Sequence, residues 1–384
     1  MNILEFYKKN KIIPTLKVNN KKLNNIKKQR FNFYFKLGLL PENFKNKEVL
    51  EFCPGTAYNA YYLLKFAKIK NITLVDINPE SIKQTQNTLK NFKNSTVHKK
   101  DIRKFKTAKK FDYIIIENAL SCFFPKPDLI FKKMVKFLKP EGYIILTVQD
   151  DIALFSERLR YLHSKLILKD IKEKNNLNFM KKILSLEFKS HLKTLGNSTR
   201  SIEDWVTDNL LSKYLENKKF FSFLKLYKCL NNKLIIKNMS PNLNPADYEW
   251  YKKFDIKINN FKFYKNYNLQ RINLIHYQEK FNVNHNLNVK TIIKLIINIT
   301  NLINKFNAKS PYWLKDLQKI KKFLLILSHN FLKIKKNNKI SLSLIEYLKV
   351  IENHLHNKSK YSNFINYKKF WGHGTNAICI ASIK

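Results

Sequence analysis

Residues 46–150 carry two hydrophobic periods in alternation. Continuous apolar runs such as EVLEFC, NITLVDI and FDYIIIENAL predict buried strands. The segments between them, such as AYNAYYLLKFAK and PESIKQTQNTLKNF, have apolar residues three or four positions apart and predict amphipathic helices. STVHKKD is a weaker third strand and GYIILTVQD a fifth. Strands that alternate with helices predict an α/β fold with a mostly parallel sheet and helices on both faces.

The rest of the chain is mainly helical in pattern. Residues 1–45 predict an N-terminal helical segment that stops at Gly38. Residues 151–360 predict a largely helical insertion or subdomain, with one further strand near 233–239. We expect this region to form a lid or to bind the substrate. Residues 361–384 end in an apolar run that predicts a strand returning to the sheet.

The charge is strongly basic. The 384 residues include 73 Lys and Arg against 28 Asp and Glu, which gives a net charge of +45. Such a balance is typical of proteins that bind nucleic acid or anionic surfaces. However, Arg, the better phosphate ligand, occurs only six times, and the charge is spread almost evenly over the chain. Lys, Asn and Ile dominate together and all have A/T-rich codons, which favours genome composition over a selected polyanion-binding face.

Cysteine usage and hydropathy indicate a cytoplasmic protein. The four cysteines are far apart and form no CxxC pair, which favours reduced thiols over disulfides or a metal site. The N-terminus lacks the apolar core of a secretion signal. The most apolar later run, TIIKLIINITNLINKF, is interrupted by Lys and Asn and predicts no membrane span.

The turn after the first strand points to a cofactor site. Parallel sheets bind ligands beyond the carboxyl ends of their strands, and Gly55 stands there in a chain with only six glycines. Asp76 ends the second strand about twenty residues later, the spacing at which a carboxylate can hold ribose hydroxyls. The turn lacks the glycines that a pyrophosphate needs, and the chain has no G-x-x-x-x-G-K-[ST] loop. The pattern therefore favours a cofactor with a nucleoside but no phosphates.

This region resembles the class I S-adenosylmethionine-dependent methyltransferases, which have a Rossmann-like fold. Their first motif has the form E-x-G-x-G-x-G, and EFCPGTA matches it at Glu51 and Gly55. It departs from the motif at Cys53 and Ala57, where the family has glycines. The segment LKPEGYIILTV resembles the family's K-P-x-G turn into the fifth strand.

The resemblance also covers the acids that follow strands two and three, in LVDIN and KKDIRKF, and spans about residues 45–150. It implies an S-adenosylmethionine-binding domain over residues 46–150, and the sequence predicts no metal-binding residues. It implies that Glu51 contacts the methionine amino group, Asp76 the ribose hydroxyls and Asp101 the adenine amino group. Ile77 and Ile102 would lie beside the adenine, and Glu117 and Asn118 where the sulfonium and the acceptor meet. The remaining implied cofactor-binding residues lie along the methionine and ribose or in the following helix: Cys53, Pro54, Gly55, Thr56 and Asn59.

The acceptor and the catalytic residue are not identified by these motifs, because methyl transfer depends mainly on positioning an activated methyl group. The end of strand four reads ENALSCFFP and lacks the D/N-P-P-F/Y of nucleic-acid amino-methylating enzymes. Cys122 lacks the preceding Pro of a cytosine-methylating nucleophile. We therefore expect a small-molecule or glycan-type acceptor. An RNA methyltransferase, suggested by the charge, and a non-catalytic cofactor-binding module, suggested by Cys53 and Ala57, are the alternatives.

Overall fold

The computed structural model describes residues 5–6, 20–123, 125–171, 176–196, 201–212, 220–244, 255–283, 287–336, 338–356 and 364–383. Much of the predicted segment 1–45 and part of 361–384 therefore lie outside the described residues. The chain divides into two compact units. Unit 1 comprises residues 1–150, 219–268 and 375–384, and unit 2 comprises residues 151–218 and 269–374.

Helices and strands alternate through the first 150 residues, and helices dominate the rest. The strands are β1 Glu48–Phe52, β2 Asn71–Asp76, β3 Ser95–Lys99, β4 Phe111–Ile116, β5 Leu138–Gln149, β6 Leu234–Ser240 and β7 Thr375–Ser382. The α-helices are α1 Asn20–Lys36, α2 Pro41–Phe44, α3 Tyr58–Lys65, α4 Pro79–Leu89, α5 Pro127–Phe137, α6 Phe155–Ile167, α7 Leu177–Lys193, α8 Ile202–Val206, α9 Phe223–Tyr227, α10 Ile256–Gln270, α11 Leu287–Lys305, α12 Trp313–Ile334, α13 Lys339–Leu355 and α14 Ile365–Lys369.

Unit 1 is built on a seven-stranded sheet with the strand order β3-β2-β1-β4-β5-β7-β6. The first five strands are parallel, whereas β7 runs antiparallel to both β5 and β6. The predicted α/β fold with a mostly parallel, Rossmann-like sheet is confirmed. The strand order reverses beside β1, so the carboxyl ends of β1, β2 and β4 meet at the place where such sheets bind ligands.

Both faces of the sheet are covered, which explains the continuous apolar strands. On one face, a core cluster joins Tyr34 of α1, Phe44 of α2 and Ala60 of α3 to Val49 and Ile115 of the sheet. The neighbouring positions of β4, which point to the opposite face, are also completely buried. A strand that is buried on both faces needs an apolar residue at every position.

The K-P-x-G segment forms an irregularity within β5. Leu138 pairs with Phe111, and Tyr143 pairs with Tyr113, so β5 carries extra residues between two paired positions of β4. A Cβ on Gly142 would lie 3.0 Å from the carbonyl oxygens of both Asp112 and Lys139. Glycine fits here because a side chain would crowd these two backbone oxygens.

The β6 edge of the sheet is covered by amide side chains of α10. The Asn260 Oδ1 accepts from the Ile236 N–H at 2.9 Å, and its Nδ2 donates to the Leu234 carbonyl at 2.8 Å. Asn259 donates to the Ile236 carbonyl at 3.1 Å. These bonds occupy backbone groups of an edge strand that could otherwise pair with another chain.

Unit 2 is helical and has a polar centre. The Arg160 side chain is fully buried on α6 and donates to the carbonyl oxygens of Phe370, Tyr367 and Lys368. Its guanidinium carbon lies 3.6 Å from the ring centre of Trp371. Because carbonyl oxygens satisfy this buried cation, Arg160 fixes the segment that precedes β7 in the chain.

Candidate active site

The turn between β1 and α3 has left-handed backbone at every second residue. Cys53, Gly55 and Ala57 have φ angles of 56°, 60° and 59°. These are the three positions at which the methyltransferase motif has glycines. Gly55 takes this conformation without strain, whereas Cys53 and Ala57 are small residues held in a conformation that disfavours side chains. The loop therefore has left-handed backbone at all three motif positions, although two of them are not glycine.

Gly55 ties this turn to the end of β2. Its N–H donates to the carboxylate of Asp76, and its carbonyl oxygen accepts from the Thr85 hydroxyl of α4 at 3.2 Å. The N–H and the carbonyl oxygen of Gly55 are therefore both hydrogen-bonded to neighbouring elements, which holds the left-handed turn in place.

Asp76 is a buried carboxylate, with 7% of its surface exposed, that its own neighbourhood holds in place. Its Oδ1 accepts from the Asn78 N–H at 2.8 Å. Burial raises the pKa of Asp76, and hydrogen bonds from the backbone of Asn78, Ile77 and Gly55 and from the Ser81 hydroxyl oppose that rise. Asn78 in turn caps α4, since its side chain accepts from the Glu80 N–H.

Glu51, the last but one residue of β1, is a buried acid with an unused acceptor. Only 4% of it is exposed, and its Oε2 has no hydrogen-bond partner among the described residues. Burial, and then the charge of Glu117, raise the pKa of Glu51 to about 8. The charge of Arg30 and the amide of Asn59 act in the opposite direction. A buried carboxyl oxygen without a hydrogen-bond partner is costly, so Glu51 retains an unused hydrogen-bonding atom at the end of β1.

Helix α1 contributes two side chains that the sequence motifs do not single out. The Arg30 Nη1 donates to both carboxylate oxygens of Glu117, at 2.6 and 2.8 Å. One turn later, the Tyr34 hydroxyl donates to the Asn59 Oδ1 at 2.6 Å. A signal was present, because Arg30 is one of only six arginines and lies four residues before a Tyr on one helix face. Its partner, 87 residues away, was not readable from the sequence.

Glu117 and Asn118 lie directly after β4, beside the end of β1. Asn118 has a φ of 55°, its side chain is exposed, and its N–H donates to the Thr147 hydroxyl at 2.6 Å. Asn tolerates this left-handed conformation better than most residues. Glu117 is thus held by α1, and Asn118 is held by β5.

Asp101 and Ile102 follow β3, next to the end of β2. The Asp101 carboxylate accepts from the Arg103 side chain, with Nη2 at 2.5 Å and Nε at 2.9 Å. Burial alone would raise the pKa of Asp101, but the bonds from Arg103 hold it below its ordinary value. Ile102 is buried and Ile77 is partly exposed.

The predicted cofactor residues fall on neighbouring strand ends of unit 1. The acids among them lie close enough to Cys53 to affect its thiol. Burial raises the pKa of this thiol, and the charges of Asp76, Asp101 and Glu51 raise it further. Across the described ranges, no group of three or more His, Cys, Asp or Glu side chains could hold a metal ion. In the same part of the chain, no helix is long and apolar enough to cross a membrane.

Comparison with known proteins gives a family for this region. Residues 43–217 match the family model described as "Methyltransferase domain". No curated protein sequence matches the chain.

The solved structures that resemble the chain include several methyltransferases. N-methyltransferase NodS from Bradyrhizobium japonicum WM9, in complex with S-adenosyl-L-homocysteine, is 22% identical over 33% of this chain and 63% of that chain, with a TM-score of 0.29. An S-adenosylmethionine-dependent methyltransferase from Clostridium acetobutylicum is 20% identical over 36% of this chain and 53% of that chain, with a TM-score of 0.28. CalS10, an amino pentose methyltransferase from Micromonospora echinaspora, is 13% identical over 34% of this chain and 50% of that chain, with a TM-score of 0.25.

These likenesses cover about a third of this chain and assign no acceptor to it. The family match, in contrast, starts just before β1 and contains the turn, the strand-end acids and the K-P-x-G segment. Residues 43–217 of the chain, a little under half of it, thus match a methyltransferase domain.

Proposed function

We propose that the carboxyl ends of β1 to β4 hold S-adenosylmethionine and present its methyl group to a small-molecule or glycan-type acceptor. Glu51 takes the methionine ammonium, Asp76 the ribose hydroxyls and Asp101 the adenine amino group. The backbone of residues 53–56 lies along the methionine and ribose, with Asn59 at the start of the next helix. The bound cofactor supplies a methyl group that its sulfonium has already activated.

The unpartnered Oε2 of Glu51 carries this proposal. Removing a carboxylate from water is costly, and the cost is not recovered while one oxygen lacks a donor. A methionine ammonium brings three N–H donors and a positive charge. It would favour the ionised form of a group whose pKa is raised to about 8 in its absence.

To bind the adenine, Asp101 has to exchange its present partner, Arg103, for the adenine amino group. Asp101 is paired with Arg103, whose side chain is 67% exposed. An ion pair with so exposed a partner contributes little stability, so Arg103 can turn into solvent and leave Asp101 to an adenine amino group. Ile77, which is partly exposed, and the buried Ile102 flank this position.

Methyl transfer needs alignment more than acid–base chemistry. Glu117 and Asn118 lie at the end of β4 and are held by Arg30 and Thr147. We propose that they shape the place where the sulfonium and the acceptor meet.

Two acids of the same strand provide the test. Glu48 lies at the amino end of β1, away from the proposed site, and forms an ion pair with Lys109 at 2.7 Å. It is therefore a matched control for Glu51. Calorimetric titration with S-adenosylmethionine and S-adenosylhomocysteine should show at least tenfold weaker binding for Glu51→Gln and wild-type binding for Glu48→Gln. Equal affinities for the two variants would reject the assignment of Glu51.

The choice of acceptor rests on the sequence at the end of β4 and on the even spread of charge. ENALSCFFP lacks the D/N-P-P-F/Y motif, and the basic residues are not concentrated in one segment. RNA is the second candidate, favoured by the net charge of +45.

Filter binding against several unrelated RNAs over a salt series separates these acceptors. Scattered lysines should give weak, sequence-blind binding that falls steeply as salt rises. A preference of about tenfold for one RNA at about 0.15 M salt would instead indicate base and shape contacts, and would make RNA the acceptor.

A further inference from the structure

Two acidic side chains lie near Arg30 at the ends of β1 and β4, but Arg30 is bonded to only one of them. Glu51 of β1 pairs with Ile115 of the neighbouring strand β4, and Glu117 lies two residues beyond Ile115, directly after β4 ends. Arg30 of α1 donates to both carboxylate oxygens of Glu117, at 2.6 and 2.8 Å, and the Glu51 Oε2 has no donor among the described residues. The pair is partly shielded, with 25% of the Arg30 side chain and 19% of the Glu117 side chain exposed.

Charged and titratable groups face Glu51 from each neighbouring element. Arg30 and Tyr34 belong to α1, Glu117 follows β4, and Cys53 belongs to the turn. The charge of Glu117 disfavours ionisation of Glu51, and the charge of Arg30 favours it. Arg30 is the one cation among these groups in the described part of the chain.

We propose that Arg30 is a positioning residue for the cofactor, which holds Glu117 in an ion pair so that Glu51 can meet the methionine ammonium as a carboxylate. The inference rests on the proposed function, because it takes Glu51 as the ligand of that ammonium. It adds α1, which lies before the family match begins at residue 43, to the cofactor site.

Removal of Arg30 changes the site in a definite direction. Two facing carboxylates without a cation tend to share one proton, as like charges in a buried site cannot both ionise. Glu51 would then stay protonated to higher pH, and the ammonium would have to displace that proton. Each unit by which the pKa of Glu51 rises should weaken binding about tenfold at neutral pH.

A double-mutant cycle tests this mechanism. Affinity for S-adenosylhomocysteine is measured by calorimetry at about pH 6, 7 and 7.5, where an α-amino group remains largely protonated. The variants are Arg30→Met, Glu117→Gln, both changes together, and Arg30→Lys. Lys139→Met is the matched control, since Lys139 forms a 2.9 Å ion pair with Asp112 at the opposite edge of the same sheet.

Arg30→Met should bind about tenfold more weakly at pH 7, and the loss should stay near tenfold from pH 6 to 7.5, because the pKa of Glu51 is already about 8 in the wild type and lies above this range. The double variant should recover to within about threefold of the wild type, because it removes the uncompensated acid as well. Arg30→Lys should lie in between, and Lys139→Met should match the wild type. Titration in two buffers with different ionisation enthalpies should show more proton release for Arg30→Met than for the wild type.

The inference is overturned if Arg30→Met binds like the wild type, or if the double variant is as weak as Arg30→Met with the same pH profile. The latter result would mean that Arg30 only supports the packing of α1. Failure of the wild type itself to bind S-adenosylhomocysteine would instead reject the proposed function.

Discussion

The two missing glycines of the cofactor turn allow a quantitative test of the backbone. Cys53 and Ala57 have φ angles of 56° and 59°, and a left-handed conformation costs a residue with a side chain about 1–2 kcal/mol. Glycine pays no such penalty. Replacing either residue by glycine should therefore stabilise the fold by this amount. The greater entropy of glycine in the unfolded chain reduces the gain by about 0.4–1 kcal/mol.

Burial separates the two positions. Ala57 is completely buried, and loss of its methyl group costs about 0.8 kcal/mol, so the contributions of Ala57→Gly nearly cancel. Cys53 is only partly buried, so Cys53→Gly should leave the fold unchanged or stabilise it by about 0.5 kcal/mol. Ala60, also completely buried but inside α3, is the matched control, and Ala60→Gly should cost about 2 kcal/mol.

The assay is urea denaturation of the three variants beside the wild type, with the free energy of unfolding taken from the midpoint and slope. The expected order of stability is Cys53→Gly, then Ala57→Gly, then Ala60→Gly. If Ala57→Gly lost as much stability as Ala60→Gly, residue 57 could not be left-handed, and the described shape of the turn would be refuted.

Three further predictions concern the same site. Glu51→Gln should stabilise the fold increasingly as pH rises. Burial and the charge of Glu117 raise the pKa of Glu51 to about 8, so the wild type loses stability between the unfolded pKa and pH 8, by about 1 kcal/mol per pH unit, and Gln does not. Thermal melts in a pH series would show this difference. A gain that does not change with pH would contradict the raised pKa. Tyr34→Phe should cost about 1–3 kcal/mol of unfolding free energy, because the Asn59 Oδ1 loses its buried donor; an unchanged denaturation midpoint would contradict that bond. Gly55→Val should abolish binding of S-adenosylmethionine in calorimetry while circular dichroism stays that of the wild type, because a β-branched residue disfavours a φ of 60°; retained affinity would remove Gly55 from the site.

The sheet could be predicted from the sequence because the burial of each strand is visible in the strand's own residues. FDYIIIENAL and GYIILTVQD are apolar at successive positions, as strands covered on both faces must be, and they form β4 and β5. STVHKKD carries a weaker pattern because β3 is an edge strand whose residues are mostly half-exposed. The cap Asn78 and the helix that follows it were equally readable, since both depend on contacts within a few residues.

The parts that escaped prediction depend on distant partners. The sequence shows Arg30 on a helix, but its bond to Glu117 arises only when α1 packs over the sheet. Likewise, Asn259 and Asn260 look like ordinary helix residues, although they satisfy the backbone of β6. The same holds for the left-handed backbone at Cys53 and Ala57, because a non-glycine residue gives no local sign of that conformation.

The central claim, that this edge of the sheet holds S-adenosylmethionine, is tested most directly at Asp76 by titration with the cofactor. A carboxylate that holds two ribose hydroxyls contributes about 1.5–3 kcal/mol, so Asp76→Asn should weaken binding roughly ten- to a hundredfold. Asp112→Asn is the control, because Asp112 is a partly buried acid at the opposite edge of the sheet, bound to Lys139 and to the Glu48 N–H. We predict wild-type affinity for Asp112→Asn and the full loss for Asp76→Asn. Equal affinities for the two variants would contradict the account.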